Sequence, residues 1–291
     1  MKILNYGSMN IDRVYAVEHT VRPGETILAD GMTLYCGGKG LNQSIAIAKA
    51  GGEIYHAGLL GEDGDMLLDA LTRYGVGTRY IRHVPGASSH TVIQVDAHGQ
   101  NCIIVCPGEN VRVTDEAIDQ TLEGFAAGDL LVLQNELDNI PSLLRKAAAK
   151  GLTVVFNPSP VNAALANYPL EHVGWFLMNE LEGEALTGET DPERILTAMA
   201  ERYPRASVVL TLGAQGAYCV HAGDTYYQPA FPVKAVDTTA AGDTFTGYLV
   251  AGLARDEALP TVLERAARAS SITVSRKGAA DSIPGWQELE A

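Results

Sequence analysis

The stretch Val236-Asp237-Thr238-Thr239-Ala240-Ala241-Gly242-Asp243-Thr244-Phe245 puts small residues and a glycine just ahead of an apolar helical pattern. Where a strand gives way to a helix, the helix's first amides and its dipole make a ready site for an anion. Gly242 would let a phosphate approach the backbone closely. Asp243, in the first turn, could accept a proton from an attacking hydroxyl. Phosphoryl transfer is mostly positioning and charge stabilisation, so a carboxylate of ordinary basicity suffices. A purely structural reading competes with this, since acidic residues favour first turns and glycine favours tight turns.

Gly37-Gly38-Lys39-Gly40-Leu41-Asn42-Gln43 marks a second loop-to-helix junction. It is neither a Walker A loop nor a dinucleotide fingerprint, because no GxxxxGK[ST] occurs and no GxGxxG follows a strand. Lys39 and Asn42 share a helix face and can offer donors to hydroxyls. Asn10 and Asp12 follow the first apolar run, KILNYG, and Glu136 follows DLLVLQ. Open α/β sheets place ligands at such strand ends. Each residue alone would serve as a turn or cap, but together they would line one crevice.

The elements that must carry these residues alternate. Apolar runs KILNYG, IYHAGLLG, DLLVLQ, TVVFNP, GWFLMN and SVVLTLG suit parallel strands covered on both faces. Between them lie helical patterns such as GDMLLDALTRYGV, IPSLLRKAAAKG, ELEGEALTG and PERILTAMAERY, and AGDTFTGYLVAGLARD and LPTVLERAARASSITVSRKG close the chain. The alternation predicts an α/β fold with a mostly parallel sheet. Residues 13–36 and 79–106 break the rhythm with β-rich pieces, TILADGMTLYC, RYIRHV, HTVIQVDA and QNCIIVC, with His98-Gly99 as a hairpin turn. They predict a small second sheet, inserted in two pieces over the strand ends as a lid. The remaining 1–12, 37–78 and 107–291 form the core domain.

The 291 residues carry 21 basic and 35 acidic side chains, a net charge of −14. That balance argues against a nucleic-acid binder, which needs basic surface. It leaves room for an anionic ligand at a local site of opposite sign. An apolar share of 46% supports a sizeable core. No apolar run reaches membrane-spanning length, and the first dozen residues lack a signal-peptide core. Cys36, Cys102, Cys106 and Cys219 form no CxxC pair. Cys102 and Cys106 share a strand face and read as buried or half-buried thiols, in keeping with a reducing cytoplasm.

Taken in order, Met9-Asn10-Ile11-Asp12, Gly37 to Gln43, Asn179-x-x-Glu182, Thr211-Leu212-Gly213-x-x-Gly216, Asp237 to Phe245 and Arg276-Lys277-Gly278-Ala279 resemble the ribokinase-like (PfkB-type) sugar kinases over nearly the whole chain. The resemblance implies a three-layer α/β/α domain with a small β lid and ATP-dependent phosphorylation of a sugar's primary hydroxyl. It assigns Asp243 as general base and the amides of Ala240, Ala241 and Gly242 as an anion hole. Asn10, Asp12, Gly38, Lys39, Gly40, Asn42 and Glu136 match sugar contacts. Asn179 and Glu182 match a motif that helps place Mg²⁺ and the nucleotide phosphates through water. Thr211, Gly213, Gly216, Gly242 and Ala267 match nucleotide positions. A monovalent cation, K⁺, is implied beside Asp237, Thr239, Thr273, Arg276, Gly278 and Ser282. Leu41 and Ser44 depart from the family's usual alanines, Ala267 from an often polar position, and Pro107-Gly108-Glu109-Asn110 from a smaller stretch.

These matches predict conversion of D-ribose to D-ribose 5-phosphate, with deoxyribose, a ketohexose or a nucleoside as the alternatives. Tyr35, Tyr80 and His83 are the lid residues that could cover a nucleoside base. A non-catalytic sensor would be expected to lose Gly242-Asp243, which is intact. A nicotinamide oxidoreductase would need the absent GxGxxG. Exposed edges of the lid sheet predict a homodimer through it.

Overall fold

The computed structural model describes residues 1–108 and 111–289; Glu109 and Asn110, part of the lid-side departure, lie outside the described residues. In chain order the elements are β1 (Ile3–Tyr6), β2 (Asn10–Ala16), β3 (Gly31–Gly37), α1 (Lys39–Lys49), β4 (Ile54–Leu60), α2 (Asp65–Arg73) and β5 (Gly77–His83). Next come β6 (His90–Val95), β7 (Asn101–Cys106), α3 (Asp115–Leu122), β8 (Leu130–Gln134), α4 (Ile140–Lys150), β9 (Thr153–Asn157) and β10 (Val173–Asn179). The chain continues through α5 (Glu180–Thr187), α6 (Pro192–Arg202), β11 (Ser207–Thr211), β12 (Ala217–His221), β13 (Asp224–Gln228), α7 (Ala241–Ala254) and α8 (Leu259–Val274).

Nine strands form one sheet in the order β13-β12-β11-β10-β9-β8-β1-β4-β5. The strands from β11 to β5 run parallel, and β12 and β13 add an antiparallel hairpin at one edge. The apolar runs are buried on both faces because helices cover both. Ile3, Val132, Val155 and Val209 pack with Ile45 of α1, Leu71 of α2, Leu249 of α7 and Leu263 of α8. Leu4, Leu131, Phe156 and Leu210 face the other way, onto Ile118 of α3, Leu144 of α4, Leu186 of α5 and Met199 of α6. Three layers result. The strand order reverses at β1, between β4 and β8, and that switch point opens a crevice at the carboxyl ends of the strands.

A four-stranded sheet, β3-β2-β6-β7, stands over this crevice. The Asp96–Gln100 turn, with Gly99 in the left-handed region at φ 77°, joins β6 to β7 as the His98-Gly99 signal predicts. Two expected boundaries need correction. RYIRHV belongs to β5, the edge of the large sheet, where it pairs with β4. Tyr80, Ile81 and Val84 are half-buried and Arg79, Arg82 and His83 exposed, because one edge and part of one face meet solvent, so an edge strand reads like a lid strand. Tyr80 consequently packs on Tyr55 and Phe125, and neither Tyr80 nor His83 lies in the small sheet. Conversely, Asn10 and Asp12 begin β2, pairing with Gly37 and Tyr35, and so belong to the small sheet rather than the core. Cys102 is exposed, not buried, because β7 is an open edge; Cys106 is half-buried.

Candidate active site

Beneath the small sheet lies a cleft of about 1310 Å³ lined by groups from both sheets. Asn10, Asp12, Gly38, Lys39, Asn42, Glu136, Asn179, Glu182, Thr211, Asp237, Thr239, Ala240, Ala241, Gly242, Asp243 and Gly278 all reach it. The sequence motifs, scattered over the chain, thus converge. Gly40 sits just behind, pressed so close to the β1 end that a Cβ would stand 2.5 Å from the Ser8 amide nitrogen. Gly213, Gly216, Ala267, Thr273, Arg276 and Ser282 are placed outside the cleft lining. Ala267 is buried in the core with α7 and α8. Gly216 packs against the end of β13. Arg276 pairs with Glu288 at 2.5 Å. The Thr273 hydroxyl lies 3.0 Å from that of Thr244, and the Ser282 hydroxyl donates to the Ala279 carbonyl.

Helix α7 begins on Ala240, held in the left-handed region at φ 60°, and has no side-chain cap. The first amides of a helix lack helical acceptors; here the Ala241 amide makes a long bond to the Thr238 carbonyl at 3.3 Å, and those of Ala240 and Gly242 are left to face the cleft. A Cβ on Gly242 would meet nothing within 4 Å, which is to say that it would enter open cleft. One residue on, the buried Asp243 accepts from Gln43 Nε2 at 2.9 Å and from Asn42 Nδ2 at 3.1 Å. Asn42 Oδ1 is buried without a partner among the described residues. A buried unpaired acceptor costs free energy, and an arriving hydroxyl would satisfy it.

Opposite stand three charged groups. Burial presses the Lys39 ammonium toward neutrality, but Asp243, Glu136 and Glu182 outweigh it and hold its pKa above the ordinary value. Burial raises the Glu136 carboxyl, and the Ser8 hydroxyl bonded to it and nearby Lys39 only partly offset this. Asp12 is likewise raised by burial, against a hydrogen bond from Thr91 Oγ1 at 2.7 Å. Period-two alternation turns Asp12, Val14, Thr91, Ile93, Ile103 and Val105 to the cleft. The cover is therefore polar near Asn10 and apolar farther out.

At the nucleotide side, Asn179 and Glu182 close a capping box at the start of α5. Glu182 accepts from the Asn179 amide at 3.0 Å, Asn179 Nδ2 at 3.2 Å and Asn157 Nδ2 at 3.3 Å. Its oxygens are thus engaged by protein donors, a setting suited to contact with an ion through water rather than direct ligation. Asp237 spans two segments, accepting from the Thr239 amide at 2.9 Å and the Gly278 amide at 3.0 Å. Burial opposes its ionisation, but these donors and Lys277 hold its carboxyl below the ordinary value. Among the described residues, no group of three or more His, Cys, Asp and Glu side chains is placed to hold a metal ion.

A model of the pfkB family carbohydrate kinases matches residues 1–286. The chain belongs to that family. Its PfkB relatives include a ribokinase from Haemophilus influenzae, 32% identical over 97% of this chain and 95% of that protein. Among solved structures, ribokinase from Cryptococcus neoformans var. grubii in complex with ADP superposes with a TM-score of 0.88 at 34% identity, covering 99% of this chain and 98% of that one. Arabidopsis thaliana ribokinase complexed with ribose and ATP gives 0.89 at 28% identity, covering 99% and 97%. For a PfkB carbohydrate kinase, an open helix terminus with a carboxylate in its first turn is a phosphoryl-transfer arrangement.

Sequence reasoning missed one part of the site. Beneath Asp243 lie buried polar side chains that no motif contains: Asn5, His56 and Gln134. A signal existed, since each interrupts or ends an otherwise apolar strand, and those strands are neighbours.

Proposed function

We propose that the protein transfers the γ-phosphoryl group of ATP to the primary hydroxyl of a pentose, converting D-ribose to D-ribose 5-phosphate. One observation carries this reading: Asp243 stands in the first turn of an uncapped helix, in the same cleft as Asn10, Asp12, Lys39, Asn42 and Glu136. Asp243 takes the proton as the hydroxyl oxygen bonds to phosphorus and the bond to ADP breaks. The first amides of α7 hold the phosphoryl oxygens through this step. Asn10, Asp12 and Asn42 read the sugar hydroxyls, and such a pocket strongly rejects sugars lacking one. Lys39 keeps its positive charge among the surrounding carboxylates and offsets the negative charge brought in with ATP.

Mg²⁺ fits at the Asn179–Glu182 corner, through water, where it would neutralise phosphate charge. K⁺ fits at the Asp237 loop beside the start of α7, where it would supply further positive charge. The core domain carries the base and nucleotide side, and the small sheet acts as a lid. Exposed Met32 on one edge strand and Ile104 on the other, neither of which lines the cleft, support a homodimer through that sheet. No helix among the described residues is long and apolar enough to cross a membrane, and a cytoplasmic kinase is the matching location.

ADP release with Mg-ATP across pentoses, deoxyribose, ketohexoses and nucleosides tests the assignment. Ribose is expected to give the highest kcat/KM. Asp243→Asn is expected to lose about 10²–10⁴-fold in kcat, and a variant as fast as the parent would remove Asp243 as base. Omitting K⁺ is expected to lower the rate. Light scattering at micromolar concentration is expected to return the mass of a dimer.

A further inference from the structure

A continuous run of hydrogen bonds leads from Asp243 into the core. Gln43 Nε2 donates to Asp243 Oδ1 at 2.9 Å, and Gln43 Oε1 accepts from Gln134 Nε2 at 2.7 Å. Gln134 Nε2 also donates to Asn5 Oδ1 at 3.1 Å. Asn5 Nδ2 donates to the Gly40 carbonyl at 2.8 Å and to Ser44 Oγ at 2.9 Å. Ser44 Oγ lies 2.8 Å from His56 Nδ1, and His56 Nε2 lies 3.2 Å from the Gly7 carbonyl. Asn5, Gln43, Ser44 and His56 are wholly buried, and Gln134 is 1% exposed.

The two ends of this run determine every orientation between them. The Gly7 carbonyl can only accept, so His56 carries its proton on Nε2 and presents Nδ1 as an acceptor. The Ser44 hydroxyl must therefore donate to Nδ1, leaving its oxygen to accept from Asn5. A carboxylate at the other end likewise accepts only, which turns the Gln43 amide nitrogen toward Asp243. Gln134 then has to donate in both directions, and its Oε1 is left buried and unpartnered. Reversing that amide would set its oxygen against two other oxygens. The orphaned atom thus records which arrangement the network adopts.

We propose that Gln43 is a positioning residue for Asp243, and that its orientation is held from within by Gln134, Asn5, Ser44 and a neutral His56. The proposal rests on the reading of Asp243 as base. Burial depresses the His56 pKa to about 4, against the hydrogen bond to Gly7, so the imidazole stays a neutral acceptor at ordinary pH. Other charged groups facing Asp243 are Lys39 of α1 and Glu136 after β8, with Glu182 of α5 beyond Lys39. Gln43 supplies a donor that neither of those carboxylates can. Ser44 is what extends the run to His56.

Hydrogen bonding to a charged group favours its charged form. Gln43→Met, of similar volume and without the donor, is expected to lower kcat about tenfold, to leave the sugar KM nearly unchanged, and to move the acid limb of the kcat–pH profile to higher pH. His56→Leu should move that limb in the same direction by less, because the Ser44 hydroxyl loses its acceptor and can turn to oppose Asn5. Adding Ser44→Ala removes that hydroxyl, so the double variant should return toward the parent profile. An unmoved acid limb in Gln43→Met overturns the proposal, as does a double variant displaced as far as His56→Leu. Should either variant fail to fold, ¹⁵N shifts of His56 in the parent protein provide the test: a neutral Nε2-protonated ring supports the network, and an Nδ1-protonated ring overturns it. An active Asp243→Asn would sink the base assignment itself. An inactive one, beside an unmoved limb in Gln43→Met, would sink only this inference.

Discussion

At the start of α5, Asn179 and Glu182 exchange hydrogen bonds in a complete capping box, whereas the start of α7 has no side-chain cap and opens on Ala240 in the left-handed region. Both termini face one cleft, and both come from motifs that sequence reading singled out. Capping stabilises a helix by meeting its orphan amides locally. Leaving them unmet forgoes that stability and keeps the donors available for an anion. The contrast sorts the two ends by chemistry: α5 is finished by its own sequence, and α7 keeps donors open, as the proposed phosphate site requires.

The sharpest way to break this contrast is Gly242→Val. Its side chain would enter open cleft, so the melting temperature should hold while kcat falls about 10²–10³-fold, as when an oxyanion donor is lost. A variant with full activity would show that no phosphoryl oxygen sits there. Next in size is a pH effect beneath α7. His56 is depressed from 6.5 to about 4 by burial, so its stabilising contribution is complete above pH 6.5 and is lost as pH falls toward 4. The loss amounts to about 3 kcal/mol when complete. Thermal melts between those pH values should fall more steeply for the parent than for His56→Leu, and parallel curves would contradict a buried neutral histidine. Smaller again, Asn179→Ala should cost about 1 kcal/mol by denaturant titration, the usual worth of a cap. The smallest effect comes from closing α7 artificially. Ala240→Asp puts a carboxylate at that terminus, in a backbone region aspartate tolerates. It should add about 0.5 kcal/mol while raising the KM for ATP, and an unchanged KM would argue against nucleotide phosphate at this end.

Much of the architecture is legible in the chain, because buried parallel strands announce themselves as unbroken apolar runs and the helices between them keep a helical period. Edges are less legible. RYIRHV alternates like a lid strand because β5 is half-exposed at the rim of the large sheet, and NCIIVC looks buried although β7 carries Cys102 in solvent. The motif residues Asn10, Asp12, Lys39, Glu136 and Asp243 do meet, as strand-end positions at one switch point should. Gly213, Gly216 and Ala267 lie outside the cleft lining, a placement set by packing that a pattern does not encode. The run from Gln43 to His56 depends on which strands are neighbours. Asn5 and His56 are direct register partners on β1 and β4, and no local signal reveals that pairing.

Asn10 and Asp12 are the opening residues of a strand in the cover, while Asp243 is anchored to a core helix. Any swing of the cover therefore carries the proposed sugar contacts with it and changes their distance from the proposed proton acceptor. Grasping the sugar and bringing it to the reacting phosphate are, in this geometry, a single mechanical act.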